Sequence, residues 1–401
     1  MKLLLVAPTC DGQDVGEAEV TYQWVHRLAA RHDVTLLTYH KRGSTPAAEQ
    51  IHGARVVEWT EPPLLGRYER LNSMLKPGYV PFYLRARRWV RRAVASGERF
   101  DLAHQISPVA LRYPSPLAGS SIPYLVGPTG GSLDSPPAFA AQETGAPWFV
   151  ALRGVDGFRL RHDPLLRASY AGAACVLGIG DYVREALADV PLRRFEVMPD
   201  TGIDALPPEV DRTGRTGPVR LLFVGRLIRT KGVQDALRAL ALVPTLDVVL
   251  DVVGQGYDRA ECERLVAGLG LGERVLFHGQ VPHERVESFF RAADVFLFPS
   301  YREPGGIAVA EAMSYGLPAI VCDRGGPAAA VADDCGIRVA AHDPEQYARD
   351  LAAAVSRLVL DGDARATLGR AARARIADRG LWDRKVERLE DLYRQVLADP
   401  R

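Results

Sequence analysis

Apolar residues in this chain fall into short unbroken runs, separated by stretches in which they recur every three or four positions. Leu3, Leu4, Leu5 and Val6 form the first run, inside Lys2–Pro8. A run without alternation reads as a strand buried on both faces, the habit of a parallel sheet. After the loop Thr9–Glu17, a helical pattern covers about 18–31, and 33–39 is a second run. This strand–loop–helix–strand unit opens a doubly wound α/β domain. Further strands are predicted at 55–59, 100–104, 123–126, 174–178 and 194–198, with Asp181 capping a helix at 182–188. Residues 133–170 read as a long, proline-containing helical insertion. From Pro199 to Pro218 turn residues dominate and periodicity stops, which predicts a domain boundary. The pattern then restarts. Strands at 219–225, 248–253, 275–279, 294–300, 319–322 and 336–340 alternate with helices at 233–243, 259–269 and 284–293. Helices at 344–360, 363–377 and 383–397 follow.

Composition narrows this picture. A chain of 401 residues is long enough for two domains. With 47% hydrophobic and 25% charged residues it fits a soluble globular class. A net charge of +1 gives no overall attraction to nucleic acid or to acidic membranes. The first residues are too short an apolar run for a signal peptide, and no stretch approaches a membrane span. The five cysteines are scattered and form no CxxC, so reduced thiols, no metal cluster and a cytoplasmic location are expected. Lysine is scarce, at positions 2, 41, 76, 231 and 385 only, which makes Lys231 conspicuous.

Candidate chemistry gathers at the strand ends. Glu303-Pro-Gly-Gly-Ile-Ala-Val-Ala-Glu311 follows an apolar run and enters a short helix ended by Gly316 and Pro318. The first free N–H groups of that helix, near Gly305, Gly306 and Ile307, attract anions, and two glycines let a phosphate approach. Glu311 lies one turn past Ile307, and Glu303 sits on the loop before it. Carboxylates bind hydroxyl pairs, so a phosphate site flanked by two of them suggests a nucleotide-sugar; the plainer reading is an ordinary helix start with solvated glutamates. Arg226 and Lys231 both lie in the turn after the strand 219–225, where two cations can neutralise a diphosphate. Gly12, Gly16 and Glu17 occupy the loop after the first strand. Gly127-Pro-Thr-Gly-Gly131 forms another glycine turn at a strand end. His104 stands near the end of strand 100–104, placed for substrate contact, although a lone histidine is more often structural. Residues 60–100 interleave Trp59, Tyr68, Tyr79, Phe82, Tyr83 and Trp89 with Arg85, Arg87, Arg88, Arg91 and Arg92. An acceptor-facing wall or a surface touching anionic lipid would use this pattern; a solvated arginine face is the plainer reading and is preferred.

These motifs together resemble family 4 of the retaining glycosyltransferases, of GT-B architecture. The resemblance is carried by Phe223-Val-Gly-Arg-Leu with Lys231-Gly232, by Val253-Gly-Gln-Gly256, Phe277-His-Gly279 and Pro299-Ser300, by the pair Glu303 and Glu311 eight positions apart, and by Gly325-Gly-Pro327. Each is weak alone, but their order and spacing are specific. The first half is similar more loosely, through Gly16-Glu17 and Gly127–Gly131.

The resemblance implies an α/β fold of two Rossmann-like domains facing across a cleft. An acceptor domain would span 1–205 and a nucleotide-sugar donor domain 206–379, with the C-terminal helix 380–401 crossing back to the first. It implies donor contacts from Gly16, Gly225, Arg226, Lys231, Gln280, Val281, Glu303, Gly305, Gly306, Ile307 and Glu311. Arg226 and Lys231 would hold the diphosphate, Gln280 and Val281 the base by backbone groups, Glu311 the ribose and Glu303 the transferred sugar. Glu17, His104, Gly130 and Gly131 would lie on the acceptor side. Arg226, Lys231, Glu303 and His104 are the expected catalytic set. No metal or other cofactor is expected, since the DxD-like triplet Asp361-Gly-Asp363 sits between helices and cations replace a metal. There are departures. Pro304-Gly305-Gly306 stands where Gly-Phe-Gly is usual, Ala329 where an acid is frequent, and Ile106 where some relatives carry a second histidine. The expected function is transfer of a hexose from a nucleotide-sugar to a small-molecule acceptor, such as an aminocyclitol in secondary metabolism. A lipid-linked or polysaccharide acceptor, with weak peripheral membrane contact, is the alternative, and a nucleotide-sugar 2-epimerase is the alternative of another class. Base contacts through the backbone leave UDP, GDP and dTDP undistinguished.

Overall fold

A computed structural model describes residues 1–62, 76, 78–143 and 154–399. They fall into two compact units: 1–132, 154–201 and 382–399 in one, 133–143 and 202–381 in the other. Tyr68, from the aromatic and arginine-rich stretch, and residues 144–153 of the expected insertion lie outside the described residues.

The first unit is a parallel sheet of seven strands: β1 (Lys2–Val6), β2 (Asp33–His40), β3 (Ala54–Thr60), β4 (Leu102–Gln105), β5 (Tyr124–Thr129), β6 (Cys175–Gly178) and β7 (Phe195–Val197). Their order is β3-β2-β1-β4-β5-β6-β7, so the direction of winding reverses between β1 and β4. The unbroken apolar run of β1 serves two cores at once. Leu3 and Leu5 enter one and Leu4 and Val6 the other, all fully buried. Helix Tyr79–Ala95 covers one face of the sheet through Tyr79, Phe82, Ala86, Val90 and Ala93. Helix Glu17–Ala29 and the last helix, Trp382–Ala398, cover the other. Trp382 meets Trp24 edge-on at 5.2 Å, and Val386, Leu389, Leu392, Tyr393 and Val396 follow at helical spacing.

The second unit is a parallel sheet of six: β8 (Val219–Val224), β9 (Val248–Val253), β10 (Val275–Gly279), β11 (Val295–Phe298), β12 (Ala319–Cys322) and β13 (Gly336–Val339), in the order β10-β9-β8-β11-β12-β13. Winding reverses between β8 and β11, which pair Leu221 with Val295 and Leu222 with Phe296. Ligands of open α/β sheets bind at the carboxyl ends of the two strands flanking such a reversal.

One segment departs from the expected division. Residues 133–143, read from sequence as part of the first half, pack on the second unit. Phe139 is fully buried there, 4.6 Å from the Tyr301 ring. Arg229 reaches Gln142 at 2.7 Å, Arg302 pairs with Glu143 at 3.1 Å, and Arg324 donates to the Asp134 carbonyl at 2.7 Å. A single phenylalanine among prolines and alanines has no periodicity that would reveal which core it enters.

Candidate functional site

In the second unit the loops after β8 and β11 meet backbone to backbone. Gly232 has φ 76°, and a Cβ there would stand 2.1 Å from the Pro299 carbonyl oxygen. The turn Gly254-Gln-Gly256 lies on the same loop: Cβ atoms at Gly254 and Gly256 would each come within 1.9 Å of the Gly225 and Leu227 carbonyl oxygens. Only glycine permits this stacking. It sets Gly225 and the exposed Arg226 at the β8 end, beside the turn Arg229–Lys231.

Lys231 is only 9% exposed. Its ammonium contacts the Glu303 carboxylate and lies 5.5 Å from the Phe298 ring. Burial pulls its pKa down to about 8, and the Arg226 charge adds to that. The Glu303 carboxylate opposes the shift, because an opposite charge in contact favours the ammonium. The turn is held rigid by Arg229, whose guanidinium makes a two-point bond to Asp235 at 2.6 and 2.9 Å inside the core, between Phe139 and Tyr301.

Glu303 opens the loop after β11, and a second glycine pair holds that loop from behind. The Gly326 N–H donates to the Glu303 carbonyl at 3.0 Å. A Cβ at Gly326 would lie 1.7 Å from the Gly305 oxygen, and one at Gly325 2.1 Å from the Glu303 oxygen. Gly306, at φ 92°, packs against Pro327 and caps helix Ile307–Ser314. Val309 N–H bonds back to the Gly306 carbonyl at 3.0 Å. The N–H groups ahead of Val309 are those a helix start leaves without an intrahelical partner. With no acidic side chain in that first turn, the helix start suits an anion. Glu311 follows half-buried on the same helix. At the end of β10 Gln280 is exposed, while Val281 leans on the core. The structure therefore brings Gly225, Lys231, Glu303, Gly305 and Gly306 onto facing loops of one unit, with Arg226 at their rim.

The first unit holds a cavity of about 460 Å³ at the carboxyl ends of β1, β2 and β3. Five carboxylates line it (Asp11, Asp14, Glu17, Glu58 and Glu61) against the cations Lys41, Arg42 and Lys76. Gly16, at φ 72°, starts the helix that presents Glu17, and Glu17 pairs with Lys76 at 2.5 Å. Lys76 is missing from the sequence-based set. The scarcity of lysine, which drew attention to Lys231, applies equally to it.

His104 is corrected. It is 1% exposed on β4, and both ring nitrogens are occupied at 2.6 Å. Nε2 faces the Gly127 carbonyl, which can only accept, so Nε2 carries the hydrogen. Nδ1 then accepts from the Tyr393 hydroxyl of the last helix, which burial keeps protonated. Burial pulls the histidine pKa down to about 4, against the opposing pull of the Gly127 bond. A buried, neutral imidazole with both nitrogens engaged ties sheet to helix and has no free lone pair for catalysis. Gly130 is likewise knitted into the fold, donating to the Val109 carbonyl at 2.7 Å, with a Cβ excluded by Ile179 at 2.2 Å. Gly131, at φ 89°, completes that turn.

Two doubly wound units of these strand orders, with a glycine-walled anion site in the second, define the GT-B glycosyltransferase class. Comparison agrees. Residues 211–375 belong to the family Glycosyl transferases group 1. The chain is 37% identical over 193 residues to the D-inositol 3-phosphate glycosyltransferase of Acidothermus cellulolyticus, covering 45% of this chain and 42% of that protein. To the enzyme of the same description from Xylanimonas cellulosilytica it is 35% identical over 233 residues, 54% of each chain. It thus spans about half the length of the curated relatives it matches. Among solved structures, a sucrose-phosphate synthase of Thermosynechococcus elongatus superposes with a TM-score of 0.66 at 22% identity, over 99% of this chain and all of that one. The Anabaena protein HepE, solved with UDP, gives 0.65 at 19% identity over 98% of this chain and all of its own. These likenesses establish the fold.

Proposed function

We propose that the protein is a retaining, metal-independent glycosyltransferase, moving a hexose from a nucleotide-diphosphate sugar held by the second unit to a small-molecule acceptor held by the first. The observation that carries this is the buried Lys231 in contact with Glu303 at the strand reversal, beside a glycine-walled helix start. A buried ammonium costs several kcal/mol unless it serves an anion, and here a second cation, Arg226, stands next to it. The donor diphosphate would sit on the Gly305–Ile307 amides, with Lys231 and Arg226 on its oxygens. Glu303 would then be released to the hydroxyls of the transferred sugar, Glu311 would take the ribose, and backbone groups of Gln280 and Val281 the base. Gly16 would close over the phosphates from the first unit.

As the anomeric carbon–oxygen bond breaks, charge grows on the leaving phosphate, where these cations and amides are already aimed. A leaving oxygen that takes the acceptor hydroxyl proton on the same face would retain configuration, and it would need no histidine. Glu17 in the carboxylate-rich cavity suits a polyhydroxylated acceptor, and an amino group would add to the fit. The curated relatives named for D-inositol 3-phosphate support a cyclitol of this kind. The five cysteines are free and buried, which suits a reducing, cytoplasmic setting.

A thermal-shift panel of UDP, GDP, dTDP and ADP in EDTA tests the donor half. A ligand at a hundred times its Kd raises stability by about 2.7 kcal/mol. One diphosphate should shift the melting temperature strongly, and Lys231→Ala should abolish most of that shift. No response to any nucleotide would overturn the reading, and free nucleotide released without a glycoside product would favour an epimerase.

A further inference from the structure

Helix Tyr79–Ala95 carries five arginines and no acid. Its buried seam is Tyr79, Phe82, Ala86, Val90 and Ala93. At 100° per residue, the side opposite that seam presents Val80, Leu84, Arg88, Arg91 and Arg92. All five are exposed, Val80 by 64% and Leu84 by 60%. The two flanking arginines are already engaged: Arg85 lies 5.8 Å from the Tyr39 ring, and Arg87 bonds the Ala118 carbonyl at 2.9 Å. Arg88, Arg91 and Arg92 have no carboxylate within ion-pair distance among the described residues. On this protein that is unusual, since most exposed arginines pair with a neighbouring acid, as Arg259, Arg291 and Arg384 do along their own helices. The chain as a whole is nearly neutral, at +1, so the charge is a local device.

We propose that this face is a docking surface for a membrane bearing anionic lipid. A cationic helix face holding two exposed aliphatic side chains matches the interface of such a bilayer, arginines at the phosphates and Val80 and Leu84 toward the acyl boundary. Nucleic acid would use the arginines but has no place for the aliphatic pair, which decides between the two polyanions. The amino-terminal end of the helix, at Gly78 and Tyr79, also walls the carboxylate-lined cavity. Docking would therefore hold that cavity close to the lipid head groups. The inference stands on the helix alone and does not depend on the proposed activity.

Flotation of the full chain with vesicles tests it. At low salt the protein should rise with vesicles rich in phosphatidylglycerol and stay behind with pure phosphatidylcholine. Each arginine near such a surface contributes about fivefold to binding, so Arg88→Gln, Arg91→Gln and Arg92→Gln together should weaken it on the order of a hundredfold. Leu84→Asp should weaken binding with all arginines present. These exposed substitutions should leave the circular dichroism spectrum and melting temperature unchanged, which separates lost binding from lost folding. Failure of the native chain to float with anionic vesicles, undiminished binding by the triple variant, equal binding to neutral vesicles, or binding of a single-stranded RNA oligomer in preference to vesicles would each overturn the proposal.

Discussion

At the scale of single residues, two kinds of group make the candidate donor site, and they should fail differently. Arg226 and Lys231 are placed where charge develops on a leaving diphosphate. Their value is greater in the transition state than in the bound ground state. Arg226→Ala or Lys231→Ala should lower kcat on the order of a hundredfold or more, with a smaller loss in nucleotide affinity measured by calorimetry. Equal losses in both would mean that they only bind. The glycines act through space. Gly326→Ala would force a methyl to 1.7 Å from the Gly305 oxygen and so push the loop off the helix start. It should abolish the nucleotide-dependent thermal shift and lower the melting temperature. Gly157→Ala, on a helix with nothing within 4 Å of the added methyl, should do neither. The motif Gly325-Gly-Pro327 was visible in the sequence. Its partner, the backbone of Glu303–Gly305, was not, because contact between two glycine loops leaves no side-chain pattern.

At the scale of elements, the last helix explains why His104 misleads a reader of the sequence. Its position at a strand end is the place for a catalytic group, and strand β4 was legible from Phe100-Asp-Leu-Ala-His104. What occupies the histidine is Tyr393, 289 positions away, and no local spacing could announce it. The pair has a measurable consequence in pH. Above pH 6.5 the imidazole is neutral in folded and unfolded chains alike, so titration adds nothing. Between 6.5 and about 4 the unfolded chain takes up a proton that the folded chain refuses, so stability falls as pH falls. The full loss is about 3 kcal/mol, complete below the folded value. Urea unfolding of the native chain and of His104→Gln, at pH 7 and pH 4.5, isolates this term as the difference in slope. The native chain should lose more stability. Tyr393→Phe removes the donor to Nδ1 and should cost about 1–3 kcal/mol at pH 7. Parallel pH profiles for native and His104→Gln would show that the ring is not held neutral.

At the scale of the whole molecule, alternating apolar runs and helical stretches disclosed two doubly wound units and the restart near residue 202, because that pattern is set by burial within each sheet. Membership of short crossing segments was not disclosed, as Phe139 illustrates, since it depends on which core receives one side chain. The last helix is the larger case. It follows the second unit in sequence and yet seals the first, through Trp382, Val386, Leu389, Leu392, Tyr393 and Val396. Six apolar side chains at about 1.5–3 kcal/mol each amount to something on the order of 10 kcal/mol, comparable with the entire stability of a domain. Lys385 adds a bond to the Pro199 carbonyl at 2.7 Å. A chain stopped after Leu381 should therefore lose the first unit and keep the second. In calorimetry, the transition that the bound nucleotide raises should survive the truncation, and the other should vanish. Loss of both would mean that the units fold as one cooperative body. Survival of both would mean that the helix packs without supporting the sheet beneath it, and the tie from Tyr393 to His104 would carry no stability.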